Sequence, residues 1–237
     1  MIDPTFIDLY CERTGPGFWD EPWNALTNMA FPVAALVAWG LAHRRGDGDW
    51  PERAVIAMGG LIGVGSFLFH TFATPWSEWA DVVPIWGFVA AFILLTIYRL
   101  TGESPLRTLR IAAIAGGVTV GLFLLTGQDR ITGPEAPADL FNGSLQYLPA
   151  LVALVVFAGL ALWRGHPARL LLAGATLTFL MSLGFRTVDL TACAATGIGT
   201  HFLWHLLNGL MIGLLLSALV LHLPPRRGAP LPSGRAP

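Results

Sequence analysis

Residues 199–222 read GTHFLWHLLNGLMIGLLLSALVLH, an apolar run without a single Asp, Glu, Lys or Arg. A helix needs about 20 mostly apolar residues to cross a bilayer, so the run is long enough to be a transmembrane span. Two histidines, His201 and His205, interrupt it. Residues at i and i+4 share a helix face roughly 5–6 Å apart. Ionisable groups inside a span are expensive, and are functional candidates by default.

The rest of the chain has the same character. Of its 237 residues, 54% are hydrophobic and 12% charged, about half the charged share of an ordinary soluble domain. Mean hydropathy is +0.61. Seven stretches qualify as spans, at roughly 23–42, 54–72, 80–98, 108–126, 145–163, 168–185 and 199–222. The connections between them are short and hold the Gly and Pro residues that punctuate helices. The expected fold class is all-α, a polytopic seven-transmembrane helix bundle over residues 23–222. An N-terminal arm (1–22) precedes it, and a Pro-rich tail (223–237) that reads as disordered follows. The arm is acidic and broken by Pro4 and Pro16. It lacks the basic region and apolar core of a cleavable signal, so the first span is expected to act as the signal itself.

All fourteen basic residues are arginines. Eleven fall on connections 1, 3 and 5 and the tail, and only Arg13, Arg130 and Arg186 on the other side. The positive-inside rule then puts the N-terminus outside and the C-terminus in the cytoplasm, as an odd number of spans requires. Eleven of the fifteen acidic residues lie on the outer side, which makes that face attractive to cations. Heavy use of Arg, Ala, Gly and Leu without lysine reads as a GC-rich bacterial genome, hence an inner (plasma) membrane protein. Nothing in the charge pattern points to nucleic acid, and no motif points to an obligate protein partner. The partner to expect is a membrane lipid.

His43, His166 and His222 sit at the cytoplasmic ends of spans and read as interfacial residues. His70, His201 and His205 sit at the outer ends. Ser66 precedes His70 by one turn on the same face. The short connection after His70 returns the chain to Asp81 in the first turn of the third span. Three helices thus bring three histidines, a serine and an aspartate to one depth. Three nitrogen ligands with an open fourth position suit a catalytic zinc, leaving Ser66 and Asp81 for orientation or chemistry. The structural alternative is buried histidines that hydrogen-bond across the bundle.

The arm DLYCERTGPGFWDEPWNALTN (8–28) gathers Asp8, Glu12, Asp20, Glu21 and Asn24. Such oxygen-rich sets favour calcium over zinc. Equally, they describe a solvated acidic arm with a helix N-cap. Cys11 and Cys193 both fall on the outer, oxidising side, where they form either a disulfide or two free thiols. Arg186 and Asp189 have the i, i+3 spacing of a structural ion pair at the outer edge of the sixth span. Many of the nine tryptophans lie near span ends, as in an aromatic belt.

Taken together, YCERTGPGFWDEPWNALTN, GSFLFH with the later aspartate, and HFLWHLLNG resemble the alkaline ceramidase family. That family belongs to a wider group of seven-span membrane hydrolases that includes the adiponectin receptors. The motifs cover the arm, spans 1 to 3 and span 7, whereas the middle of the chain matches only as hydrophobic helices. The resemblance implies hydrolysis of the amide bond of ceramide to a sphingoid base and a fatty acid. It implies zinc held by His70, His201 and His205, active-site roles for Ser66 and Asp81, and a disulfide between Cys11 and Cys193. It also implies calcium in the arm, with Glu12 and Glu21 aligned on carboxylate ligands. The arm departs from the animal enzymes, which read D-W-C-E where this chain has Leu9-Tyr10-Cys11-Glu12. The nearby aspartate is Asp8, one position early, and Thr14 stands where those enzymes have a calcium-binding asparagine. The alternative from another class is a receptor-like seven-span protein with a structural zinc and little turnover.

Overall fold

The computed structural model describes residues 6–101, 104, 106–110, 113–114, 117 and 141–225. Among these, every regular element is helical. A short helix α1 (Pro22–Thr27) leads into α2 (Ala30–Arg45), α3 (Trp50–Phe72) and α4 (Pro75–Thr101). A 3₁₀ turn (Ser144–Tyr147) then opens α5 (Leu148–Trp163), followed by α6 (Arg169–Thr196) and α7 (His201–His222). Among the described residues, six helical segments are long and apolar enough to cross a membrane, α1 and α2 counting as one. The fourth expected span, 108–126, lies largely outside the described residues, as do the connection TGPEAPAD and the tail from residue 226.

Local chemistry explains several boundaries. Pro32 has no N–H to give to Asn28. The chain tightens there instead, with Phe31 N–H reaching Asn28 O at 3.2 Å, which separates α1 from α2. Asp49 caps α3 by accepting from Glu52 N–H at 3.0 Å. α6 runs eleven residues past its expected end at 185, to a left-handed Gly197. The extension is possible because Arg186 and Asp189, which read as the end of the span, both find buried partners.

α3 packs between α2 and α4, α7 lies against α2 and α6, and α5 packs on α6. The core between them holds Phe31, Ile56, Phe88, Leu216 and Leu219. Leucines and tryptophans such as Leu36, Trp163 and Leu170 point outward, as a lipid-facing surface requires.

The end of the bundle away from His70 is closed by charge. Glu52 is fully buried and accepts from Arg45 Nη2 and Arg99 Nη1, each at 2.7 Å. Arg99 also pairs with Asp49 at 2.7 Å and reaches the Leu223 carbonyl at 2.5 Å. One network therefore ties the ends of α2, α3, α4 and α7. Removing one partner of a buried ion pair costs about 3–5 kcal/mol, because the other charge stays buried. Glu52→Ala should lower stability by about that amount, read as a fall in the thermal unfolding midpoint in detergent. An unchanged midpoint would show that the network carries no stability.

Candidate metal centre

At the other end, His70 lies in the last turn of α3 while His201 and His205 occupy the first two turns of α7. All three are about 1% exposed. One ligand atom from each lies within 4.8 Å of the others. The ring centroids of His205 stand 4.7 Å from His70 and 4.6 Å from His201. The sequence spacing thus brings together the three residues it singled out.

Neighbouring side chains orient two of the rings. His70 Nδ1 lies 2.5 Å from Glu21 Oε2. Glu21 also accepts from the Arg13 guanidinium, so it is a carboxylate and the proton sits on His70 Nδ1. The Thr27 hydroxyl donates to the Trp23 carbonyl at 2.6 Å and is left to accept from His205 Nδ1 at 3.1 Å. Both rings therefore keep the Nε2 lone pair free for a metal. His201 is held differently. Tyr10 stacks on its ring at 3.6 Å, and its buried Nδ1 has no partner. A buried three-nitrogen set with an orphaned ring nitrogen fits a metal such as zinc.

Ser66 and Asp81 line the same cavity as His201 and His205. Asp81 Oδ1 is buried without a hydrogen-bond partner. What brings α3 and α4 together here is a pair of backbone features. Pro84 removes the N–H that would have bonded the Ala80 carbonyl. That carbonyl instead faces Gly65, where a Cβ would lie 1.9 Å from it. Only glycine lets Ser66 approach Asp81 so closely. Beyond the polar end the cavity is walled by Ile62, Phe88, Phe92 and Leu154. It adjoins a second apolar cavity through Phe92, Leu154, Phe157 and Leu215.

No protein-family model matches the chain, and no curated protein matches it.

The arm is fastened over the site. Cys11 and Cys193 form a disulfide. Asp189 and Arg186 do not pair with each other, contrary to their spacing. Asp189, fully buried, accepts three backbone N–H groups: Cys11 at 3.0 Å, Thr200 at 2.7 Å and His201 at 2.9 Å. It caps α7 from another helix, and Gly199 (φ 69°) makes room, since a Cβ there would sit 2.1 Å from Asp189 Oδ1. Arg186 instead lies over the rings of Tyr10, Tyr147 and Trp204, at 5.3–5.5 Å from their centroids. It donates to the Tyr10 hydroxyl at 2.8 Å, while its buried Nε has no partner. Burial pushes the Tyr10 phenol up against the pull of Arg186, so it stays a neutral hydroxyl. Arg186, Tyr10 and Thr27 were not assigned to the site by spacing. The one signal for Arg186 was a charge inside an apolar segment.

Two of the three carboxylates expected to hold calcium, Glu12 and Glu21, have other partners. Asp8 is exposed. Glu12 caps α1, its two oxygens accepting from Trp23 N–H at 2.7 Å and Asn24 N–H at 2.8 Å. Burial pushes its carboxyl above the usual range despite those bonds. Glu21 takes Arg13 on one oxygen, and His70 and Asn24 on the other. Burial alone would raise its carboxyl, but His70, Asn24 and Arg13 outweigh burial and hold it below the usual range. Every carboxylate oxygen of Glu12 and Glu21 is thus engaged, and this set does not fit a calcium ion.

Asp189→Ala leaves three backbone donors without their charged acceptor, and hydrogen bonds to charged groups contribute about 1.5–3 kcal/mol each. Stability should fall by at least about 3 kcal/mol, with a loss of metal retention as the start of α7 loosens. Thermal unfolding with metal analysis checks both. Gly65→Ala should cost roughly 1–3 kcal/mol or more by overpacking two backbones, and should impair the site more than Gly184→Ala, where a Cβ meets nothing.

Proposed function

We propose that the chain is a zinc-dependent amidase of the alkaline ceramidase type. It hydrolyses the N-acyl amide bond of ceramide, or of a related N-acyl lipid, to the amine and a free fatty acid. The observation that carries this reading is the convergence of His70, His201 and His205, within 4.8 Å of one another, with Ser66 and Asp81 on the wall of an apolar cavity. Seven spans with the N-terminus outside, as the arginine bias favours, put the site at the outer leaflet.

His70, His201 and His205 would hold a zinc ion, which would supply Lewis acidity for activating water and polarising the amide carbonyl. The chain's own groups do the rest. Asp81, with an unpartnered oxygen, accepts the proton of the attacking water and returns it to the leaving nitrogen. An amine departs poorly without that proton. The Ser66 hydroxyl donates to the oxygen that gains charge as the amide carbon becomes tetrahedral. Arg186 Nε, buried on the same wall, offers a donor to a headgroup oxygen. The acyl chain lies along Phe88, Phe92 and Leu154 into the adjoining cavity.

Detergent-purified protein is tested on a panel of ceramides and other N-acyl lipids, with metal content measured on the same sample. The expected result is zinc near one per chain and amide cleavage. His205→Ala should lose both, and Asp81→Asn should keep zinc while slowing cleavage about 10²–10⁴-fold. Near-normal turnover by His205→Ala would overturn the assignment. Zinc without cleavage of any lipid would favour the receptor-like alternative.

A further inference from the structure

The arm contains a buried cation that the amidase reading does not use. Arg13 is 3% exposed and reaches oxygens only. Its Nε bonds Glu21 Oε1, its Nη1 bonds the Gly15 carbonyl at 2.9 Å and the Gly17 carbonyl at 3.4 Å, and its Nη2 bonds the His70 carbonyl at 2.8 Å. One carboxylate and three backbone carbonyls form the kind of hard oxygen shell that calcium takes. Here a guanidinium fills it.

We propose that Arg13 is a built-in cation that replaces calcium in this arm and positions His70 through Glu21. Three points carry this. The charge required to hold Glu21 in a buried place comes from the chain itself, in a planar fork of donors. The buried side-chain oxygens of the arm left without a hydrogen-bond partner are Asn24 Oδ1 and Asn28 Oδ1. Both are neutral acceptors, and a dication beside the guanidinium would be repelled. Finally, Arg13 touches His70 by two routes. It grips the backbone carbonyl directly, and it fixes the Glu21 carboxylate that accepts from Nδ1. It is a positioning residue, since it acts on the metal site through these neighbours.

The test does not depend on hydrolysis, so failure of the amidase reading and failure of this inference are distinguishable. Protein purified without added calcium is analysed for calcium and zinc, and its unfolding midpoint is measured with and without millimolar calcium chloride. The wild-type chain should carry no stoichiometric calcium, and its midpoint should not move. Arg13→Ala should lower the midpoint and weaken zinc retention against a competing chelator about 10–100-fold, the usual effect of losing an outer partner of a metal ligand. Calcium should restore part of both in that variant, because the emptied shell keeps its oxygens. Arg13→Lys, which keeps the charge, should fall between the two and respond less to calcium. Stoichiometric calcium in the wild-type protein, or a calcium-dependent rise in its midpoint, would overturn the proposal even if Arg13→Ala fails to fold. So would an Arg13→Ala protein equal to wild type. Equal loss in the Ala and Lys variants, with no effect of calcium on either, would also overturn it, since packing and not charge would then be what the shell needs.

Discussion

The site depends on one buried carboxylate. Asp189 stands inside a helix, yet its partners are the backbone of the N-terminal arm and the first turn of α7. A charge so deep is tolerable only when its lone pairs are satisfied, and three N–H groups do that. The same bonds cap α7, complement its dipole and set where His201 begins. The disulfide between Cys11 and Cys193 closes beside them. Arm, α6 and α7 are joined at a point next to His201.

Membrane burial sharpens this logic. Lipid offers no hydrogen bonds, so every polar group in the bundle must find a partner within the protein. At one end Glu52 gathers Arg45 and Arg99 and locks four helices. At the other, Arg13, Glu21 and His70 form a chain of charge and hydrogen bonds that ends on a ring nitrogen. The first network closes the bundle, while the second holds an imidazole in one tautomer. Between them the cavity is apolar, with unpartnered polar atoms of Asp81, His201 and Arg186 near its polar end. Unpartnered groups are costly in such a place, and their concentration there is what binding of a ligand or metal would explain.

Much of the candidate site was legible in the sequence. His70, His201 and His205 stood out because a histidine in an apolar run is rare, and helical spacing put two on one face. Ser66 followed from the same spacing and Asp81 from the short connection. The partners of the charged residues were not legible. Spacing alone paired Arg186 with Asp189, but Arg186 bonds Tyr10, 176 positions away, and Asp189 bonds Cys11, 178 positions away. The carboxylates of the arm read as ligands for a cation, and nothing local revealed that Arg13 would be that cation.

The sequence by itself determined the helical, membrane-spanning class and the places of six described spans. Hydropathy and charge are sums over neighbouring residues, and a bilayer imposes a length that such sums can detect. It also determined which side chains were candidates for chemistry, because polar groups in apolar runs are few. Only the tertiary structure decided who satisfies whom: that Glu21 orients His70, that Thr27 orients His205, that Tyr10 covers His201, and that the Ala80 carbonyl meets Gly65. These contacts join residues far apart along the chain, and no local pattern encodes them. They exist because burial in lipid compels each polar group to find a partner wherever the packed helices bring one within reach.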